Sequence, residues 1–127
     1  MVLDPQTRRN LELFQAGRWG EAGTSLFSVL DRTGTSMGGR LLRRWLGQPL
    51  LDVQQLCLRQ DAVAWFHRSS LRRERVMAVL ESVSDIERLV NRVRSFTSTP
   101  RDLVGLANSL GASQHVKAIL KEDEDAQ

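Results

Sequence analysis

Apolar residues recur at intervals of three and four positions along nearly the whole chain, and no stretch alternates between apolar and polar residues for more than a few positions. The first spacing places apolar side chains on one face of an α-helix, whereas strict alternation is the pattern of a half-buried strand. The sequence therefore predicts an all-α fold, built as an irregular bundle of several helices. A chain of 127 residues is long enough for one compact domain and too short for two ordinary ones.

Capping residues and prolines set the predicted helix boundaries. Ser84 with Glu87 three positions later is a capping box, and Pro100 suits the first turn of a helix that Gly111 would end. The three glycines within residues 17–24 predict a flexible loop. We predict helices over about 5–11, 26–30, 36–47, 53–67, 70–82, 85–96, 100–110 and 113–121.

Two predictions concern which side chains are buried. The helix over 85–96 carries a narrow apolar stripe, and this face is expected to pack in a core. Cys57 falls near the apolar side of its own helix, so we expect a small buried apolar residue rather than a reactive thiol. The apolar stripe of the helix over 85–96 consists of Ile86, Leu89, Val90, Val93 and Phe96.

The charges are unevenly distributed. The chain carries 18 basic and 15 acidic residues, and four of the acids form the run Glu122–Asp125. Without that run the net charge of the rest is +7, and 16 of the 18 basic residues are arginine. We predict a domain over residues 1–121 and an acidic disordered tail over 122–127. An arginine-rich body suits a nucleic-acid partner, because arginine contacts phosphate through two donors at once, although an arginine-rich genome produces the same composition without function.

Arginines at helical spacing form the one candidate binding surface in the sequence. Arg40, Arg43 and Arg44 share one face of the helix over 36–47, and Arg72 and Arg73 form a second cluster. Such clusters bind DNA phosphates weakly and without sequence preference. The alternative is a solvated outer helix face, which the sequence favours because no exposed aromatic residue is interleaved with these arginines.

Residues for catalysis, cofactor binding or a metal site are scarce. The glycines around Arg40 do not form the phosphate-binding Gly-x-x-x-x-Gly-Lys motif, so we predict no ATP site. His67 and His115 lie 48 positions apart and Cys57 is the only thiol, which leaves too few ligands for a four-ligand metal site. We therefore predict no catalytic, cofactor-binding or metal-ligating residue in this chain.

Membrane and secretion signals are also missing from the sequence. No apolar run reaches the roughly 18 residues that a membrane span needs. Residues 1–10 lack the apolar segment of a secretory signal, and a single cysteine excludes an internal disulfide bond. We expect a cytoplasmic protein without membrane partners.

Several sequence blocks follow one another in a fixed order. The first half contains Leu3-Asp4, Thr7-Arg8-Arg9-Asn10-Leu11-Glu12-Leu13, Ser25-Leu26-Phe27-Ser28-Val29-Leu30-Asp31-Arg32-Thr33, Met37-Gly38-Gly39-Arg40-Leu41-Leu42-Arg43-Arg44-Trp45-Leu46 and Gln48-Pro49-Leu50. The second half contains Arg59-Gln60-Asp61-Ala62-Val63, Ser84-Asp85-Ile86-Glu87-Arg88-Leu89 and Pro100-Arg101-Asp102-Leu103. In this order and spacing, over roughly residues 2–110, the blocks resemble the core domain of the MutS family of DNA mismatch repair proteins.

The resemblance implies that the chain is an excised fragment of a longer protein. In the family, the core is a helical body that joins the DNA clamp and the mismatch-reading parts to the ATPase and relays nucleotide state between them. The family's mismatch-reading Phe-x-Glu element and its nucleotide motifs belong to other domains, so no functional residue is carried over. The resemblance implies no enzyme activity here. It assigns ATP and Mg²⁺ to the full-length protein, with DNA, a homodimer partner and other mismatch repair proteins as partners.

Two stretches depart from the family pattern. Residues 33–38 replace Thr-Val-Thr-Pro-Met-Gly, and Ser95-Phe96-Thr97 replaces a common Gly-Arg-Ala stretch.

Two alternative identities are a MutS-family paralogue that serves recombination control and a stand-alone arginine-rich helical DNA-binding module. A Phe-x-Glu mismatch reader encoded upstream in the gene would favour a repair protein over the recombination paralogue. Tight DNA binding with a steep salt dependence would favour the stand-alone DNA-binding module.

Overall fold

The computed structural model describes residues 3–15 and 25–122, and all regular secondary structure in these ranges is helical. The predicted all-α fold is therefore confirmed. The predicted loop over 17–24 and residues 123–127 of the predicted tail over 122–127 lie outside the described residues, so both stay predictions, while Glu122 is the last residue of a helix. The seven helices of the described part are α1 (Pro5–Asn10), α2 (Leu26–Leu30), α3 (Ser36–Gly47), α4 (Val53–His67), α5 (Ser70–Leu80), α6 (Ile86–Arg94) and α7 (Pro100–Glu122).

The described residues fall into two compact units. The first lies within Met1–Thr33 and Gly38–Ala62, and the second lies within Gly34–Met37 and Val63–Gln127. The first unit contains α1, α2 and most of α3 and α4, and the second contains α5, α6 and α7. The assignment of residues 1–121 to one domain stays a prediction.

In the first unit, α1 and α2 begin at polar caps. Asp4 accepts the backbone N–H of Thr7 at 2.9 Å, and Ser25 accepts that of Ser28 at 3.2 Å. Hydrogen bonds from the hydroxyl and the backbone N–H of Thr7 hold the pKa of Asp4 below its ordinary value. Because such caps satisfy N–H groups that have no partner inside the helix, they determine where each helix starts.

The segment after α1 connects to α2 through backbone hydrogen bonds. Glu12 has a φ of 48°, in the left-handed region, where the chain turns away from α1. The backbone N–H groups of Leu26 and Phe27 donate to the carbonyls of Glu12 and Leu13 at 3.1 and 2.9 Å. Leu13 is buried here, and the ring of Phe14 lies 6.1 Å from that of Phe27, measured between centroids. These contacts form the packed part of the first unit.

α4 begins as predicted, at Asp52. Its carboxylate accepts the backbone N–H groups of Gln54 and Gln55 at 2.9 and 3.3 Å. The prediction that Cys57 is buried is wrong, because its side chain is exposed. Apolar residues occur on several sides of α4 rather than in one stripe, so their spacing does not indicate which side faces inward. The exposed apolar residues of this helix are Val53, Leu56, Leu58 and Val63.

In the second unit, α7 packs against both α5 and α6. The buried apolar residues are Val76 of α5 and Ala112 and Ile119 of α7. Burying such side chains stabilises a fold by about 1.5–3 kcal/mol for each valine or isoleucine. The core of this unit is therefore small and centred on α7.

α6 begins one residue later than predicted, with Asp85 rather than Ser84 as its N-cap. Asp85 accepts the backbone N–H of Arg88 at 3.1 Å, whereas Ser84 donates its backbone N–H to the hydroxyl of Ser109 at 2.9 Å. The predicted capping box of Ser84 and Glu87 is therefore wrong. Tertiary packing supplies Ser84 with a partner on α7, and the neighbouring carboxylate takes the cap position.

α7 is one continuous helix of 23 residues, so the predicted stop at Gly111 and the separate helix over 113–121 are wrong. A glycine inside a helix costs only about 1 kcal/mol relative to alanine. Ala112 and Ile119 follow the glycine, and both are buried. The burial of these residues outweighs the local preference of glycine for a helix end.

Replacing Gly111 by alanine is expected to raise the free energy of unfolding by about 0.5–1 kcal/mol. A Cβ atom at this position would meet nothing within 4 Å beyond its own helical neighbours, so the helix gains propensity without a clash. Chemical denaturation followed by circular dichroism measures the change. A destabilised variant would mean that the helix does break at this glycine.

The apolar stripe predicted for α6 is only partly buried. Leu89 and Val93 are half-buried, but Val90 is 38% exposed and Phe96 is 96% exposed. α6 ends at Arg94, and Phe96 has a φ of 56°. Helical spacing no longer applies two residues beyond the helix, so the prediction that Phe96 belongs to the buried face is wrong.

Candidate nucleic-acid interface

The first predicted cluster, Arg40, Arg43 and Arg44, lies on α3, and all three residues are exposed. The guanidinium of Arg43 lies 4.4 Å from the ring centroid of Phe14 and 5.4 Å from that of Phe27. A cation over an aromatic face contributes about 0.5–1 kcal/mol at an exposed site. Arg43 therefore has a packing role in the first unit, independent of any contact with phosphate.

A second arginine–aromatic pair lies at the surface of the same unit. The guanidinium of Arg59 on α4 lies 3.8 Å from the ring centroid of Trp45 on α3, and Trp45 is 40% exposed. Sequence reasoning missed both stacked arrangements. Their members lie 14 to 29 positions apart, far beyond the spacing that a helix periodicity connects.

The second predicted cluster, Arg72 and Arg73, lies near the start of α5 in the second unit. Arg72 donates through Nη1 to the carbonyl of Trp65 at 2.6 Å, and its guanidinium lies 3.6 Å from the Trp65 ring centroid. Arg73 donates to the carbonyls of Phe66 and His67, both at 2.8 Å. These carbonyls end α4, where C=O groups lack helical partners and favour positive charge. The two arginines therefore cap the C-terminal end of α4.

The five predicted arginines thus have different surroundings in the two units. A signal for the capping pair exists in the sequence, because the two-residue connection after His67 keeps the first turn of α5 close to the end of α4. The side chain of Arg72 is half-buried, whereas Arg40 and Arg44 are exposed. A contact between any of the five and a DNA phosphate stays a prediction.

Arg72→Ala is expected to lower the free energy of unfolding by about 1–2 kcal/mol, because it removes a stacked cation and a hydrogen bond to a helix-terminal carbonyl. Arg68→Ala is the matched control, since Arg68 is an exposed arginine in the connection between the same two helices. Thermal melting followed by circular dichroism compares the variants. If Arg72→Ala lost DNA affinity while its stability stayed unchanged, Arg72 would bind a DNA phosphate rather than cap the end of α4.

Polar contacts from α6 and from the residue before α7 hold the turn between these two helices. Arg92 of α6 and Asp102 of α7 form an ion pair with an N–O distance of 2.8 Å. Thr99 donates its backbone N–H and its hydroxyl to Asp102, both at 2.9 Å. These two bonds, together with Arg92, hold the pKa of Asp102 below its ordinary value. The helix start at Thr99 agrees with the prediction from Thr99, Pro100 and Asp102, because these bonds are local. The ion pair with Arg92 was not predicted, because it depends on how the two helices meet.

Three further features of the described residues concern a surface depression, metal-ligating groups and helix hydropathy. A depression of about 220 Å³ lies beside α6 and is smaller than the usual site for a small molecule. Within residues 3–15 and 25–122, no group of three or more His, Cys, Asp or Glu residues could hold a metal ion. No helix in these ranges combines the length and the apolar character needed to cross a membrane. The depression is lined by Ser84, Asp85, Arg88, Leu89 and Arg92.

Comparison with known proteins places this helical chain in a family. The profile of MutS domain III matches residues 6–127. The DNA mismatch repair proteins MutS of Synechococcus sp. and Roseiflexus castenholzii are 48% identical to it over 122 and 124 residues, and that of Exiguobacterium sp. is 47% identical over 121. These alignments cover 95–96% of this chain but only 11–14% of each relative. The resemblance in the sequence is therefore confirmed, and the chain belongs to the MutS domain III family.

Proposed function

We propose that this chain forms the first part of the helical core of a MutS-type DNA mismatch repair protein. In that role it connects the DNA-binding clamp to the ATPase domain and transmits the nucleotide state between them. The names of the relatives and their much greater length support this proposal. The chain then supplies a mechanical part of the longer protein and no catalytic group.

The observation that carries the proposal is the continuity of α7. Its 23 residues span about 35 Å at the rise of an α-helix. It packs against both α5 and α6, and the ion pair of Arg92 with Asp102 ties its first turn to α6. A helix held in this way moves as a rigid body, so a displacement at one end reaches the other.

The partners and cofactors of the longer protein follow from the same proposal. ATP with Mg²⁺ would bind in the ATPase domain, and the protein would act in the cytoplasm as a homodimer with DNA and other mismatch repair proteins. The arginine clusters of α3 and α5 would add weak phosphate contacts. Such contacts do not distinguish mismatched from fully paired DNA, because they do not read bases.

A chimera tests the proposed function. In the MutS protein of Exiguobacterium sp., the 121 aligned residues are replaced by this chain, which is 47% identical to them. A competent core segment should preserve the stimulation of ADP release by mismatched DNA. A typical allosteric coupling of about 1–3 kcal/mol corresponds to a stimulation of about 5- to 150-fold. The stimulation is measured as the ratio of the ADP release rates with mismatched and with fully paired duplexes.

The control chimera carries Gly111→Pro, which should break α7 at its centre because proline removes a helical hydrogen bond and clashes with the preceding turn. Stimulation should be lost in this control and kept in the first chimera. A first chimera that binds ATP and mismatched DNA but shows no stimulated ADP release would contradict the proposed relay. Full stimulation in the proline variant would contradict the role assigned to α7.

The 127-residue chain by itself is expected neither to bind nor to hydrolyse ATP, because its sequence has no phosphate-binding loop. Calorimetric titration with ATP and Mg²⁺ measures binding, and release of inorganic phosphate measures hydrolysis. Saturable ATP binding at micromolar concentration would contradict the assignment of nucleotide chemistry to another domain.

A further inference from the structure

Phe96 combines an exposed aromatic side chain with an unfavourable backbone conformation. Its side chain is 96% exposed, and its φ of 56° lies in the left-handed region. Glycine adopts that region freely, whereas a residue with a Cβ atom is disfavoured there. The ring gains almost no burial in return. Residues that depart from local preferences in this way are concentrated at functional sites.

The surrounding turn holds Phe96 in place. The backbone N–H groups of Phe96 and Thr97 donate to the carbonyls of Val93 and Arg92 at 3.1 and 3.0 Å. The hydroxyls of Ser95 and Thr97 are hydrogen-bonded to each other at 3.0 Å. The ion pair between α6 and α7 closes the turn from the other side. The backbone at Phe96 is therefore held in one conformation, so less backbone entropy is lost when a ligand binds.

The chemistry around the ring is polar and cationic. Residues 88–102 contain four arginines and one acidic residue, Asp102, which is paired with Arg92. Arg94 at the end of α6 and Arg101 at the start of α7 are exposed, and Ser95 and Thr97 flank Phe96. Phenylalanine and arginine occur in protein interfaces as well, but the centre of such an interface is more apolar than its rim, whereas residues 94, 95, 97 and 98 around Phe96 are all polar. Aromatic rings among cations instead suit single-stranded nucleic acid, since bases stack on the ring and phosphates pair with the cations.

We propose that the α6–α7 turn binds an unpaired base of single-stranded DNA, stacked on Phe96, with Arg94 and Arg101 at the neighbouring phosphates. This site goes beyond the proposed function, which assigns no DNA contact to this turn. Bases inside a duplex are covered on both faces by their neighbours, so they cannot stack on the ring. The turn therefore prefers single-stranded DNA to duplex DNA.

The test compares three forms of the 127-residue chain in their affinity for a labelled oligothymidylate, measured by fluorescence anisotropy at low salt. Phe96→Gly removes the ring and suits the left-handed backbone, so its melting temperature is expected to equal or exceed that of the wild type. Its affinity should fall about 5- to 150-fold, the range for the loss of one stacked base. Phe96→Trp keeps a stacking surface and should retain the affinity.

The arginines are tested by the salt dependence of the same binding. Arg94→Gln and Arg101→Gln should each reduce the slope of log affinity against log salt by about 0.7, the value for one phosphate contact with a single strand. Arg32→Gln is the control, because Arg32 is an exposed arginine in the first unit. Its slope should equal that of the wild type.

The proposal would be overturned by a lack of saturable binding by the wild type, by equal affinities of the wild type and Phe96→Gly, or by a duplex bound as tightly as the single strand. If Phe96→Gly instead abolished self-association of the chain without changing oligothymidylate binding, the ring would belong to a protein contact and the proposal would fail. The chimera experiment does not depend on any of these results, so the two proposals fail separately.

Discussion

Leu89→Ala in the MutS chimera is expected to weaken the coupling between mismatch binding and ADP release while basal ATP affinity stays unchanged. Leu89 is half-buried on α6, and its Cδ1 atom lies 3.8 Å from the position of a Cβ atom built on Gly105 of α7. Truncation removes the Leu89 methyl groups that lie beside Gly105, on the side of α6 that packs against α7. A fully buried leucine costs about 2–5 kcal/mol on truncation, so we expect about 1–2.5 kcal/mol for this half-buried one.

The expected loss of coupling follows from the same contact. If α6 and α7 transmit a coupling of about 1–3 kcal/mol, loosening them should remove most of the stimulation of ADP release. Val90→Ala is the matched control, because Val90 lies on the same helix and is 38% exposed. ADP release is measured for both variants with and without mismatched DNA, after circular dichroism has shown that they fold. Full stimulation in a destabilised Leu89→Ala variant would show that α6 is passive scaffold.

Ser109→Ala is expected to lower the free energy of unfolding of the chain by about 1–3 kcal/mol, although it removes only one oxygen atom. The Ser109 hydroxyl is fully buried, accepts the backbone N–H of Ser84 at 2.9 Å and donates to the carbonyl of Gly105 at 2.7 Å. Alanine would remove both hydrogen bonds of this fully buried hydroxyl. Each of the two hydrogen bonds contributes about 0.5–1.5 kcal/mol net, so the loss of both accounts for the expected range.

Ser113→Ala separates this effect from a change in helix propensity. Ser113 lies on the same helix, is exposed, and donates its hydroxyl to the carbonyl of Leu110 at 2.7 Å. Its replacement should be neutral or slightly stabilising, because alanine is the better helix former and water replaces the lost bond. Urea denaturation measures both variants. Equal effects of the two substitutions would show that the bond between Ser84 and Ser109 does not contribute to stability.

The helices α1, α2 and α4 begin at residues 5, 26 and 53, as predicted. Each start depends on a side chain, Asp4, Ser25 or Asp52, and an N–H group two or three positions away. Such signals lie entirely within a short stretch of sequence. The start of α6 differs by one residue because Ser84 has a partner on α7, 25 positions later. The predicted end at Gly111 failed for a related reason, since the burial of Ile119 is a property of the assembled unit.

The candidate interface was harder to predict than the helices. The spacing of Arg40, Arg43 and Arg44 correctly placed them together on α3, and the sequence also placed Arg72 and Arg73 side by side. It did not reveal the stacking of Arg43 on Phe14 and Phe27. Phe96 was assigned to a buried stripe because its position continues the helical spacing, although the helix ends before it.

The sequence by itself determined the helical class, most helix starts and the family, because caps, periodicity and ordered sequence blocks are read from neighbouring residues. The tertiary structure decided which arginines cap or stack, how far α7 continues and which aromatic ring is exposed. Those outcomes depend on contacts between residues distant in the chain, and the free energy of burial and of buried hydrogen bonds exceeds local preferences of about 1 kcal/mol.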